Sequence, residues 1–395
     1  MRTSLRVGAL VTLIVLIATA TVAQTQERGI TPTEVIIGTS QPLSGPASFW
    51  GLPVTGGMDA YIRILNDQGG IHGRKVRLVA LDDSYLPARA VANVRDLVER
   101  VGVFAIVGLL GSTNAFAVRE YIVDNQVIWI NPLADANMWA GFKGKRTLFV
   151  SYVSYVDEGR ILTEYASKNL NAKTFAVFYQ NDLFGQKGLL GVKRGAANAK
   201  TKVVAAVPHE LTERDFSAHA LKLRESKADA VVLYTNPTAG ALLAKEIAKI
   251  GYSPRLISTS ALADPAMFTL AGEAWNDVVL AAYFPLPGTG DAKIDATLAN
   301  IVKVNPALAR TPFNAVGGVS FLEPFLEGLR RAGPNLSRNS FIAAMESIKN
   351  WNGDVARAIT FGPDRHQGLN RIMIVKSENG QYKKLTDWIE YPVGF

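Results

Sequence analysis

The sequence predicts an α/β fold, with parallel sheets covered by helices on both faces and the chain divided between two domains. Two observations carry this expectation. The chain has 395 residues, more than a single hydrophobic core usually serves. Nearly continuous apolar runs alternate with amphipathic segments of helical period, strand then helix, which is how buried parallel strands and their crossovers read. Composition agrees: 48% hydrophobic and 19% charged residues suffice for sizeable cores and do not resemble a disordered chain.

The elements follow in order. "VIIGTS" (35–40), with β-branched Val35, Ile36 and Ile37, reads as a first buried strand, opening into a Ser-, Pro- and Gly-rich loop that carries Phe49 and Trp50. Further strands are expected at 75–83 ("KVRLVALDD"), 103–111, 127–132, 174–180, 202–209, 229–235 and 255–260. Helical periodicity places helices over 54–67, 87–101, 114–125, 158–169, 185–199, 216–226 and 238–250. In open α/β sheets, ligands bind beyond the carboxyl ends of the strands, where helix N-termini present free N–H groups. The loop with Phe49 and Trp50 stands at that end, as do "GLLGSTNA" (108–115) and "NPLADAN" (131–137). Ser112 and Thr113 stand where hydroxyls can cap the helix that follows, where they can hold a carboxylate, or where they can do both.

The N-terminus, "MRTSLRVGALVTLIVLIATATVAQTQ", has Arg2 and Arg6, an uncharged apolar run from Val7 to about Val22, and small residues at its exit. This is the layout of a secretory signal peptide over residues 1–23, cleaved after Ala20 or Ala23. An uncleaved anchor is the competing reading, but it would run nearer 20 apolar residues. The absence of cysteine excludes a disulfide framework and a lipid-modified cysteine. The formal charge is +8, yet no Lys/Arg-rich run, zinc spacing or aromatic-basic pattern accompanies it, so nucleic acid is not an expected partner.

"SGPASFWG", "NDQGGIHGRKVRLVALDD", "VGLLGSTNA", "WINPLADA", "YQNDLFGQ", "RDFSAHALKLRESKADAVVLYTNP" and "ITFGPDRHQG" resemble, in shared order and spacing, landmarks of the periplasmic leucine/isoleucine/valine-type binding proteins of ABC transporters. The resemblance runs from about residue 33 to about 390. It implies the two-lobe type I periplasmic binding protein fold, in which three crossover hinge strands join the lobes and a ligand lies in the cleft between them. The crossovers would fall near 148–156, 280–286 and 357–363. Lobe one would be 30–152 with 284–357, and lobe two 153–283 with 358–395. The partners implied are a small-molecule ligand and a membrane permease with its ATPase subunits. The chain is expected to be an exported periplasmic monomer without cofactor or metal.

Carried over position by position, Trp50 matches the aromatic that lies over the ligand at the cleft mouth, although an indole there can also pack against its own lobe. Leu110, Gly111 and Ser112 match the carboxylate cradle, with Thr113 a further candidate beside it, and Ala134 and Asp135 match the next contact loop, where amino-acid binders often have Thr in place of Asp135. Phe184 falls where the family often has Tyr, and Thr235 or Asn236 near another contact. Ser260 falls where amino-acid binders often place an acid that pairs with the ligand ammonium. An unpaired ion in a closed cleft costs several kcal/mol, so Ser260 favours an aromatic or branched aliphatic carboxylate as ligand. Asp135, if it meets the ammonium instead, keeps a branched-chain or other amino acid or amide as the alternative, and a ligand-sensing receptor on the same fold is a third reading.

An enzyme is not expected. The sequence has no dinucleotide or phosphate-loop glycine motif, nucleophile elbow or HExxH, and without cysteine there is no thiol chemistry. Its histidines are His72, His209, His219 and His366, with no pair at metal-ligand spacing. His366, in a turn near the third crossover, is expected to serve the hinge.

Overall fold

The structure is a computed structural model that describes residues 27–142 and 144–395. The expected signal peptide at 1–23 lies outside the described residues.

The first sheet has the order β2-β1-β3-β4-β5 and is parallel throughout. It is built from β1 (Glu34–Gln41), α1 (Ser48–Asp67), β2 (Lys75–Asp82), α2 (Pro87–Arg95), β3 (Ala105–Val107), α3 (Ser112–Asp124), β4 (Ile128–Ile130) and β5 (Leu148–Phe149). β1 lies between β2 and β3, and Val35 and Ile37, two residues apart and so on one face of the strand, are both buried, whereas Ile36 on the other face is half-buried. β3 is shorter than its apolar run suggests. Gly108, Leu109 and Gly111 all have positive φ (81°, 82° and 107°), so the chain turns out of the sheet immediately after Val107.

One expectation at the N-terminal side is corrected. Phe49 and Trp50 are in the first turn of α1 rather than in a loop, because the helix starts at Ser48 and not after Pro53. Pro53 sits early in the helix, where its fixed φ fits and only one helical hydrogen bond is forfeited.

The second sheet has the order β12-β11-β10-β9-β8-β6-β7, with β13 added to β11. Its chain order is α4 (Tyr155–Asn169), β6 (Thr174–Gln180), α5 (Leu183–Asn198), β7 (Lys202–His209), α6 (Ser217–Glu225), β8 (Ala230–Tyr234), α7 (Pro237–Lys249), β9 (Arg255–Ser258), α8 (Ala266–Ala271) and β10 (Val279–Ala282). The chain then runs through α9 (Ala292–Val304), α10 (Pro312–Ala332) and α11 (Arg338–Glu346), of which α9 and α10 pack on α1 and α11 packs on α10. It returns to the second sheet as β11 (Arg371–Glu378), β12 (Gln381–Lys384) and β13 (Ile389–Glu390). β6 to β10 are parallel, whereas β11 pairs antiparallel with β10, β12 and β13. The sheet is therefore mixed at one edge, where a hairpin rather than a crossover helix completes it.

The chain thus passes between the sheets after β5, after β10 and before β11. At the first and last passage Val150 and Gln367 form a parallel bridge. His366 is buried there, stacked 4.2 Å from Phe149 and bonded through Nδ1 to the Leu148 carbonyl at 2.8 Å.

Candidate functional site

The carboxyl ends of the strands in the two sheets face each other across a cleft lined by both. Each wall is delivered by a strand that ends and a helix that begins. The first sheet contributes Trp50 from α1, Tyr85 beyond β2, and Leu110, Gly111 and Ser112 between β3 and α3. The second contributes Phe184 at the start of α5, and Ser260 and Ala261 beyond β9. Tyr152, Tyr155 and Tyr283 come from the passages between the sheets, and Phe313, Asn314 and Phe321 from α10.

Eight of the seventeen lining residues are aromatic and none is charged, so the cleft offers apolar surface and neutral hydrogen-bonding groups. All of these rings but Tyr85 are linked edge to face. Trp50 meets Phe184 at 6.1 Å, Phe184 meets Tyr155 at 4.9 Å, and Tyr152 meets Tyr155 at 5.8 Å and Tyr283 at 5.3 Å. Trp50 also donates through Nε1 to the Ala261 carbonyl on the far wall, at 3.0 Å. Tyr85 Oη donates to Asp182 Oδ2 at 3.0 Å, Leu183 N to Thr113 Oγ1 at 3.3 Å, and Asn314 N to Asp264 Oδ2 at 3.0 Å. The cleft is therefore closed by direct bonds between its walls.

Ser112 and Thr113 do not cap α3. Its cap position is Gly111, which has no side chain to bond to the first turn. Ser112 Oγ instead accepts from Asp135 N at 3.1 Å, which leaves its hydroxyl proton free to donate into the cleft. Gly111 is required here, since a Cβ at this position would lie 2.7 Å from the Tyr85 ring. Thr113 is spent on Leu183 and does not line the cleft.

The other sequence-derived candidates divide. Ala134 and Asp135 are buried behind the cleft lining. Asp135 Oδ1 accepts from Tyr155 N at 2.8 Å, while its Oδ2 has no partner among the described residues. Burial pushes the Asp135 carboxyl up to about 6. Thr235 and Asn236 do not line the cleft either: Thr235 Oγ1 bonds His209 Nε2 at 2.6 Å, and Asn236 caps α7 by accepting from Ala239 N at 3.0 Å. Ser260 does line it, and its hydroxyl is buried without a partner among the described residues. Ser260 N donates to Glu158 Oε1 at 2.9 Å, and Glu158 also accepts from Thr259 Oγ1 at 2.6 Å and Tyr234 Oη at 3.0 Å. Burial raises the Glu158 carboxyl against these donors. A carboxylate thus lies beneath Ser260, yet it is already occupied by three donors and does not line the cleft.

Tyr85, Tyr152, Tyr155, Tyr283, Phe313 and Asn314 were not among the residues singled out in the sequence. For the tyrosines at 152, 155 and 283 a signal existed, because "SYVSYV" and "AAYFP" lie on the expected crossovers. Glu158 carried no distinguishing mark, being one acid at the head of an amphipathic helix.

A sequence profile for the family described as "Periplasmic binding protein" matches residues 34–381. A "Leu/Ile/Val-binding protein" of Rhizobium johnstonii is 26% identical over 352 residues, which cover 88% of this chain and 93% of the relative. Among solved structures, a fatty acid ABC transporter substrate-binding protein from Thermomonospora curvata superposes with a TM-score of 0.81 at 22% identity, over 93% of this chain and 97% of its own. A branched-chain amino acid transporter substrate-binding protein from Streptococcus pneumoniae, in complex with isoleucine, superposes with a TM-score of 0.78 at 19% identity, over 91% and 100%. At these identities the superpositions speak to the fold.

Proposed function

We propose that this chain, which belongs to the periplasmic binding protein family, captures an aromatic or branched aliphatic carboxylate in the interlobe cleft and delivers it, as a monomer, to an ABC transporter permease. It is a substrate-binding protein of a transport family, not an enzyme. The family is extracytoplasmic, and among the described residues no helix is long and apolar enough to cross a membrane. Export by a cleaved signal at residues 1–23 is part of the proposal.

The observation that carries the ligand class is a cleft rich in aromatic rings and free of charged side chains. A carboxylate finds compensation in the Ser112 hydroxyl and the uncapped first turn of α3, whose N–H groups and dipole favour an anion. Trp50, Phe184 and Tyr155 supply apolar area for the body of the ligand. An ammonium group finds no equivalent, because Glu158 lies beneath the lining and already accepts three hydrogen bonds, and Asp135 is held away by Tyr155 N. One observation favours the second reading, an amino acid. Asp135 Oδ2 is buried without a partner among the described residues, and two of the three similar proteins named above are a Leu/Ile/Val-binding protein and a protein in complex with isoleucine, so a rotation of this carboxylate toward the cleft would provide the missing counter-charge.

Lobe one is taken as residues 30–152 with 284–357 and lobe two as 153–283 with 358–395, a division supported by the two separate sheets. Ligand contact with both lobes then favours the closed form over the open one. The test is thermal unfolding of the chain, refolded from denaturant to strip bound solute, against aliphatic and aromatic acids, amino acids and amides. A ligand at about a hundred times its Kd adds about 2.7 kcal/mol. Shifts with phenylacetate or 4-methylpentanoate but not with leucine support the acid, and the reverse pattern sinks it in favour of the Asp135 reading.

A further inference from the structure

Helix α10 begins without a cap of its own. Thr311 occupies the cap position at φ −140°, ψ 64°, and makes no side-chain bond to the first turn. The missing acceptor comes from across the cleft. Asp264, in the turn between β9 and α8, accepts through Oδ2 from Asn314 N at 3.0 Å and from Asn314 Nδ2 at 3.1 Å. Its other oxygen, Oδ1, accepts from Ala266 N at 2.9 Å at the start of α8. Both partners of the cross-cleft pair are buried, Asp264 completely. Asn314 is the third residue of α10, the position whose N–H a capping side chain normally satisfies, and it also borders the ligand cleft.

We propose that Asp264 is a positioning residue for ligand capture, which holds the lobes closed by capping α10 in trans. With the lobes apart, the first turn of α10 and one carboxylate oxygen of Asp264 each face water. With the lobes together, a negative group sits at the positive end of a 21-residue helix. The bond involves no ligand atom, so it sets the fraction of closed protein available to every ligand alike. Because apparent Kd equals intrinsic Kd divided by that fraction, loss of the bond weakens all ligands by one common factor, roughly tenfold for a lost helix cap. The inference rests on the proposed closure of two lobes, but not on the chemical class of the ligand.

The chain has no cysteine, so cysteines substituted for exposed Leu52 on α1 and Leu190 on α5 take two spin labels cleanly. Pulsed electron resonance then reads the distance between lobes in the otherwise unchanged chain and in Asp264→Asn and Asp264→Ala. Asparagine preserves the volume but cannot accept at both Asn314 N and Ala266 N, which keeps the test open should the alanine variant fold poorly. The expected result is a larger long-distance population in both ligand-free variants, with apparent Kd raised by the same factor for phenylacetate, 4-methylpentanoate or leucine, whichever bind the parent. An unchanged ligand-free distance distribution overturns the proposal. So does a loss of affinity that differs between ligands, since Asp264 would then act on the ligand through Asn314. If none of the three probes binds the parent, the ligand reading fails while the ligand-free comparison still decides on Asp264.

Discussion

Trp50 commits its indole in two directions, its ring edge-on to Phe184 and its N–H to the Ala261 carbonyl, both on the opposite wall. A buried aromatic of this kind dominates the energetics of the surface it joins. Trp50→Ala is expected to weaken ligand binding by at least about 2 kcal/mol with the fold retained, and wild-type affinity in titration calorimetry would remove Trp50 from the ligand's contacts. Ser112→Ala, by contrast, should discriminate by chemistry, costing carboxylates more than their amides, because an anion gains most from a hydroxyl donor. Equal losses for acid and amide would contradict a carboxylate at α3. The place of both residues in the cleft lining was legible in the sequence for one physical reason, that they follow apolar strands whose carboxyl ends open toward the cleft. Thr235 and Asn236 satisfy the same rule but turn elsewhere, to His209 and to the N-terminus of α7. Position along a strand fixes the end of the sheet, while side-chain direction depends on partners distant in sequence.

Helices α1 and α10 form the apolar wall of the cleft, and glycine permits their contact. A Cβ on Gly57 would lie 2.0 Å from the Ala315 carbonyl oxygen, and one on Gly318 would lie 2.1 Å from that of Val54. These obstacles are backbone, which cannot yield as a flexible side chain can. Gly318→Ala is therefore expected to cost at least about 2 kcal/mol through overpacking, measured as a lower denaturant midpoint with unchanged slope; a neutral result would show that the helices separate freely. This pairing also explains the limits of the sequence reading at the level of elements. Strands were legible because burial on both faces makes their apolar runs continuous, and helices because their period survives in one dimension. The start of α1 was missed, since a proline within the first two turns mimics a boundary. The share of the cleft contributed by α10 was missed because the helix begins 262 residues after Trp50 in sequence (312 − 50) and its glycine matches exist only once both helices are folded.

At the scale of the molecule, several buried carboxyl groups make no ion pair among the described residues. Burial raises Asp83, Asp135 and Asp264 to about 6 and Glu323 to about 7, although Glu323 accepts from the N–H groups of Asp354, Val355 and Ala356. A carboxyl whose folded pKa exceeds its unfolded value contributes stability that is complete at low pH and is lost as pH rises through the folded pKa. His209, lowered to about 4 by burial, acts oppositely, with a contribution lost as pH falls below its unfolded value near 6.5. The four acids outweigh the single base between pH 8 and 5.5, so the thermal midpoint is expected to rise on acidification across that window. Glu323→Gln should reduce the rise, and a midpoint that falls steadily from pH 8 to 5.5 would refute the sign. The placement of the tryptophans carries an optical consequence. Of the six in the chain, Trp129, Trp139 and Trp275 are sealed in the interior, Trp351 and Trp388 pack at its margins, and Trp50 lines the cleft. Intrinsic emission of the unlabelled protein thus contains one indole positioned to change colour when solute displaces water beside it, and subtracting the spectrum of Trp50→Phe isolates that single reporter.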